Sequence, residues 1–197
     1  IAHDVIPADW HAQWVSVGGD LVEASLWSPA LAPEGRGRSC LLLDEAGAAH
    51  ALSSPEGMAA NTPAERVEVT PLGAFIAEAD PAVIRSGLLG RLADKIGAGI
   101  VSDKIAYLTG DDLPDNPFYD RFEVLEVTNL RAKAISAALT SRDAGSVEIK
   151  KRGADINPDE LRKSLKLGGG SAQLTVIATR LAGRHRAIIC KRLPKNL

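Results

Sequence analysis

The 197-residue sequence predicts an α/β protein of the α+β kind. Three observations carry that expectation. Hydrophobic residues make up 45% and charged residues 24%, an ordinary globular balance that argues against extended disorder. The stretch 145–168, GSVEIKKRGADINPDELRKSLKLG, reads as a short buried strand, a basic turn, a capped helix and a glycine stop. The ending places two strands, AQLTVIATR and HRAIICKR, around a turn built from Ala182 and Gly183. The C-terminal half therefore reads β–α–β–α–β–β, with helices over one face of a sheet.

The elements follow in chain order. Residues 12–17, AQWVSV, make a short extended segment that Gly18 and Gly19 break. Asp20 is placed to cap a helix of about two turns over DLVEASLW, although Leu21, Val22, Ala24, Leu26 and Trp27 fit strand as well as helix. After the loop SPALAPEGRG, residues 38–53 read as a hairpin: Leu41–Leu43 outward, a turn over 44–47, and His50–Leu52 back. Trp10, Trp14 and Trp27 are expected to pack in a core or cover a domain edge.

Residues 53–70 are rich in Ser, Pro, Ala, Asn and Glu. A linker at 56–70 would divide a first unit, 1–55, from a second, 71–197. In DPAVIRSGLLGRLADKIG, Asp80 is the expected N-cap and Pro81 suits the first turn. Val83, Ile84, Leu88, Leu89 and Leu92 recur at helical spacing, and Gly97 and Gly99 stop the run. KIAYLTGDD and RFEVLEV are the next strands, and 130–139 is the next helix. Asn157 with Glu160 forms a capping-box-like start with Pro158 at the first helical position, and Leu161 and Leu165 should face the core.

Charge is informative locally rather than in total. The formal net charge is −2, which excludes a generally basic nucleic-acid coat but not one basic face. Lys150, Lys151, Arg152, Arg162, Lys163 and Lys166 fall within a single strand–helix unit. Cations and a helix N-terminus can position phosphates. Three readings stay open for this cluster: nucleic-acid contact, contact with another domain, or a solvated face with snorkelling stems. Arg180, Arg184, Arg186, Lys191 and Arg192 could extend it.

The acidic loop GDDLPDNPFYDR brings Asp111, Asp112, Asp115 and Asp120 together in sequence. Its spacing is not that of a calcium loop, and solvated loop acids are the expected reading. Asp111 stands out because it follows a strand end, where α/β folds place ligands. No G-x-S-x-G, H-E-x-x-H or phosphate-gripping G-x-x-x-x-G-K-[ST] motif is present. Gly168-Gly169-Gly170 follows a helix and precedes a strand, the wrong context for a nucleotide cradle. Cys40 and Cys190 sit in apolar runs and are expected as buried thiols in a reducing, cytoplasmic setting. Two cysteines and four scattered histidines make a metal site unexpected. No apolar run approaches the roughly 20 residues that span a bilayer. The opening IAHDVIP reads as if in mid-element, so a fragment is expected.

Particular strings say more than patterns. GDLVEASLW, EADPAVIRSG, IAYLTGD, VEIKKRGADINPDELRKSL and LTVIATRLAGRHRAIICKR resemble an actinobacterial family of class I S-adenosylmethionine (SAM)-dependent methyltransferases with a THUMP-like C-terminal domain. The resemblance implies that 1–55 is the remnant of the terminal strands of the methyltransferase sheet, followed by the THUMP-like β–α–β–α–β–β domain. It implies SAM as the cofactor of the parent protein, bound by a segment this sequence lacks. No catalytic or SAM-binding residue can be carried onto it. It also implies tRNA or another structured RNA and the upstream methyltransferase domain as partners, with no membrane and no metal. Lys150, Lys151, Arg152, Arg162 and Lys166 are the first expected RNA contacts. Lys163 lies in the same cluster, and Arg85 and Asp111 are further candidates. The alternative is a structural or docking domain that binds no nucleic acid.

Overall fold

The computed structural model describes residues 1–44 and 46–195. Position 45, inside the expected 44–47 turn, lies outside the described residues. The first sheet has four strands: β1 (His11–Val17), β2 (Asp20–Trp27), β3 (Gly37–Leu43) and β4 (Ala49–Ser53), in the order β2-β1-β3-β4. β1 and β3 run parallel, while β2 and β4 are antiparallel to their neighbours.

The helix expected over 20–27 is a strand. Gly18 and Gly19 both hold positive φ, 57° and 89°, and Val17 pairs directly with Asp20. Two left-handed residues between paired strands give the tight hairpin whose twist matches the strands it joins. Asp20 therefore enters a ladder instead of capping a helix. A short apolar run is decided by such a turn, not by its own periodicity.

The remaining elements build a second sheet. They are β5 (Phe75–Ala79), α1 (Pro81–Arg85), α2 (Leu89–Ile96), β6 (Gly99–Ser102), β7 (Ile105–Gly110) and β8 (Tyr119–Asn129). Then come α3 (Ala132–Thr140), β9 (Ala144–Lys151), α4 (Pro158–Ser164), β10 (Ala172–Leu181) and β11 (Arg184–Arg192). The seven strands take the order β6-β7-β5-β8-β11-β10-β9. From β8 onward the expected β–α–β–α–β–β order is observed. The single helix expected from Asp80 is two. The Asp80 carboxylate accepts from Ala82 N at 2.7 Å and starts α1, but Gly87 at φ 71° separates it from α2.

Three apolar clusters hold these layers. Trp14, Cys40, Leu42 and Leu52 of the first sheet share one cluster with Ala77, Ala79, Val83, Leu92 and Leu108, so the two sheets meet through α1, α2 and β5. On one face of the second sheet, Ile135 and Leu139 of α3 pack on Val147, Leu174, Val176 and Ile189, with Leu161 and Leu165 beside them. Both side chains of α3 are fully buried, each contributing about 1.5–3 kcal/mol. The opposite face carries Ile76, Val101, Ile105, Tyr107, Phe122, Ile177, Ile188 and Cys190.

That third cluster sits inside a curled sheet. β9 and β7 are separated by four strands in the order, yet the Arg152 guanidinium, just past β9, lies 5.6 Å from the Tyr107 ring of β7. A Cβ on Gly153 would meet Ile105 Cδ1 at 2.4 Å. A flat sheet with strands about 4.8 Å apart would hold these groups far apart, so the sheet coils around its own inner face. Trp14 is buried, while Trp27 is exposed on β2. Both cysteines are buried and free. Among the described residues no helix is long and apolar enough to cross a membrane.

Candidate functional site: the cleft between the sheets and the basic flank of α4

β9 separates the basic triplet. Successive strand residues point to opposite faces. Lys150 and Arg152 therefore turn to the inner face, and Lys151 to the face covered by helices. Lys150 Nζ lies 2.7 Å from Glu78 Oε2 and 3.4 Å from Glu148 Oε1, and 6.0 Å from the Phe122 ring centroid. Arg152 reaches Glu78 at 3.7 Å. Arg192 stacks 4.8 Å from the Phe122 centroid and pairs with Asp120 and with Glu148, the latter at 3.0 Å. Lys195 completes the network at 3.2 Å from Asp120.

Strand register explains the network. Glu78 pairs with Tyr107 on one side and Asp120 on the other, and Phe122 pairs with Arg192. Their side chains therefore emerge in one row, which the curl brings to Lys150 and Arg152. Burial disfavours charge on Asp120, Glu148, Lys150 and Arg192, and the opposite charges beside them outweigh it. Arg192 and Lys195 hold the Asp120 carboxyl below its ordinary value. Arg192 and Lys150 do the same for Glu148. The Lys150 ammonium is raised because Glu78 overcomes its desolvation.

The network forms one wall of a cleft of about 710 Å³. The other wall is the C-terminal end of the parallel pair β1 and β3, with Ser16, Leu43 and Asp44, together with the Gly18–Gly19 turn and the start of α1 at Asp80 and Pro81. Ligands of α/β folds bind outside such strand ends. Ser16 Oγ is buried there without a hydrogen-bond partner among the described residues. A second recess, of about 580 Å³, is lined by Arg85 and Arg152 with residues 1–3, Pro81 and Ile84. Arg85 thus joins Arg152, away from α4.

The other expected contacts gather around α4. Lys151 Nζ donates to Ile156 O at 2.7 Å, and Arg162 Nη1 to Val147 O at 2.7 Å. Lys163 and Lys166 are exposed. Asn157 caps the helix, accepting from Asp159 N and Glu160 N. Acids thus fill the first turn and cations the last, which suits the helix dipole. Among the described residues none of these four cations pairs with a carboxylate. The six clustered cations therefore form two groups, Lys150 with Arg152 in the cleft and the other four on the flank.

Asp111 is exposed, and its Oδ1 accepts from Ala74 N at 3.0 Å, an anchor for the chain entering β5. Among the described residues no group of three or more His, Cys, Asp or Glu could hold a metal. Glu78, Glu148 and Lys195 belong to the ion network and were not singled out by sequence. Glu148 could have been, because Glu148, Lys150 and Arg152 alternate on one strand face. Glu78 could not, since only the curl of the sheet brings it near.

Comparison with known proteins places these features. Residues 120–192 match the THUMP domain-like family. This part of the chain is a THUMP-like domain. It covers β8 to β11 with α3 and α4, and so includes the α4 flank and Lys150. The chain is also 36% identical over 167 residues to an uncharacterised SAM-dependent methyltransferase found in two strains of Mycobacterium tuberculosis. The match takes in 85% of this chain and 43% of each relative, so the chain spans less than half of their length. The chain is thus homologous to SAM-dependent methyltransferases over most of its residues. A crystal structure from Porphyromonas gingivalis, of a candidate methyltransferase, shares the fold with a TM-score of 0.70 at 16% identity, over 96% of this chain and 47% of that one.

The residues present do not make a SAM cradle. β1 turns through Gly18 and Gly19 straight into β2, and β3 turns back into β4, so no helix follows either parallel strand. A strand–glycine loop–helix would supply the free N–H groups such a ligand needs.

Proposed function

We propose that this chain is the C-terminal part of a longer SAM-dependent methyltransferase that acts on structured RNA, with tRNA as the substrate class. Residues 1–55 would be terminal strands of its catalytic sheet, 56–70 a connector, and 71–197 the THUMP-like unit. SAM and the catalytic groups would be supplied by the remaining part, in the cytoplasm. The THUMP-like domain would hold the RNA backbone through Lys151, Arg162, Lys163 and Lys166, with Arg85 and Arg152 as a second contact across the cleft. Lys150 acts chiefly in the ion network.

One observation carries this reading. Four cations stand on the exposed flank of a THUMP-like domain with no carboxylate among the described residues neutralising them, in a chain whose net charge is negative. Such contacts give affinity and register rather than sequence choice. The test is fluorescence anisotropy of the chain with labelled tRNA across a salt series. Binding that weakens steeply with salt, and weakens further in Lys163→Glu/Lys166→Glu, supports the reading. Absent binding, or binding indifferent to those reversals, removes it.

A second reading has its own support. The first apolar cluster joins both sheets into one core, as expected if the THUMP-like unit serves to brace the catalytic part without touching RNA. It predicts no tRNA binding by this chain, but measurable association with the separately expressed upstream part.

A further inference from the structure

Four strands lie at sheet edges: β2, β4, β6 and β9. Three of them bury residues, among them Leu52 on β4, Ile100 and Val101 on β6, and Ala144 and Val147 on β9. β2 buries none along its eight residues. Its exposed side chains include Leu21, Val22, Leu26 and Trp27, and neighbouring Val17 is exposed too. Both faces are involved: Leu21 and Leu26 pair with Ser16 and Ala12 on one face, Trp27 pairs with His11 on the other, and Val22 sits at a bulge between them.

A strand of this kind has no reason within the chain. It contributes to no core cluster, and its outer edge offers unpaired backbone groups. Edges left open are normally guarded by Pro, Lys, a short length or a covering element. β2 has no Pro or Lys and is long for an edge, with only Asp20 and Glu23 as charges. Isolated exposed apolar residues need no explanation, but four on one free strand do.

We infer that β2 is an interior strand of a larger sheet, and that its free edge and both faces are covered by the rest of the methyltransferase polypeptide. The inference rests on the reading that this chain is part of a longer enzyme. The occupant is a strand that pairs with β2, with apolar elements laid over Leu21 and Leu26 on one side and Trp27 on the other. The length of the relatives argues for this occupant over others. More than half of each matched methyltransferase, and of the solved structure, lies outside the part this chain covers. The first sheet would then be the end of a catalytic sheet, and β2 the seam at which it continues.

Hydrogen–deuterium exchange separates the possibilities without reference to RNA or methyl transfer. The 197-residue chain and the longer polypeptide containing it are compared peptide by peptide, at two concentrations. Amides of 20–27 should exchange about 10–100-fold more slowly in the longer polypeptide, while those of 49–53 stay unchanged. Val22→Lys/Leu26→Lys should leave the melting temperature of the 197-residue chain unaltered and lower that of the longer polypeptide. Equal exchange of 20–27 in both forms overturns the inference. So does concentration-dependent protection in the short chain that matches the long one, since a second copy would then be the cover. Failure of tRNA binding leaves these readouts untouched.

Discussion

Lys150 Nζ sits 2.7 Å from Glu78 Oε2, although β9 and β5 are separated by β8, β11 and β10 in the sheet. The contact is a consequence of curl. It also clamps that curl, because Glu78 holds Arg152 as well. The two side chains are only 20% and 22% exposed, so this pair is screened less than a surface ion pair.

Glu78→Gln should therefore cost more than a typical surface substitution. It leaves Lys150 and Arg152 facing each other without their shared carboxylate. A loss of about 1–3 kcal/mol is expected, against about 0–1 kcal/mol for an exposed pair. Lys150→Met should cost less, because the apolar stem still covers Phe122. Urea unfolding of the variants would check the order.

The pH dependence follows from the same network. Asp120 and Glu148 are held below their ordinary values of 3.8 and 4.5. Their contribution is complete above those values and is lost as pH falls through the lowered folded ones. Lys150 is raised above 10.5, so its contribution is complete below 10.5 and is lost as pH rises beyond it. Stability should thus decline below about pH 4.5 and again in strong alkali. Arg192→Met removes the partner shared by both acids and should flatten the acid limb. Urea midpoints measured from pH 2.5 to 7 would show it.

Much of the architecture could be read from punctuation. Asp80 and Asn157 cap where expected, Ala182 and Gly183 turn with positive φ, and Cys40 and Cys190 are buried. These are local signals with local causes. The helix expected over 20–27 failed because Gly18 and Gly19 act as a hairpin turn, which outweighs a candidate cap. The site was legible in half. Lys151, Arg162, Lys163 and Lys166 share a flank because they follow one another along the chain. Lys150 and Arg152 go elsewhere because a strand alternates its faces. Glu78 lies about 70 residues away from them in sequence, and only the coiled sheet brings the three together.

The glycines around β9 differ in what they do, and substitution should reveal it. A Cβ on Gly145 would lie 1.9 Å from Gly170 O, a backbone atom that cannot step aside. Gly169 has φ 80° with open space around it. Gly145→Ala should destabilise by about 1–3 kcal/mol through overpacking where β9 enters the sheet. Gly169→Ala should cost about 1 kcal/mol through left-handed backbone strain alone. Thermal unfolding of the two variants would separate them. Gly168–Gly170 is then a close-packed crossing at Gly170 as well as the expected turn.

The salt dependence of RNA binding gives the sharpest reading of the α4 flank. If Lys163 and Lys166 each neutralise a phosphate, Lys163→Gln/Lys166→Gln should make the slope of log affinity against log salt shallower by about 1.4–1.8. Gln keeps the reach and removes the charge, so folding should be little affected at these exposed positions. Lys150→Met should leave the slope nearly unchanged, since that ammonium is already neutralised by Glu78. Equal effects from the flank and the cleft would mean that RNA opens the ion network on binding. No effect from either would favour the bracing role. Anisotropy titrations between 50 and 200 mM salt, the range over which such contacts change affinity most visibly, would decide.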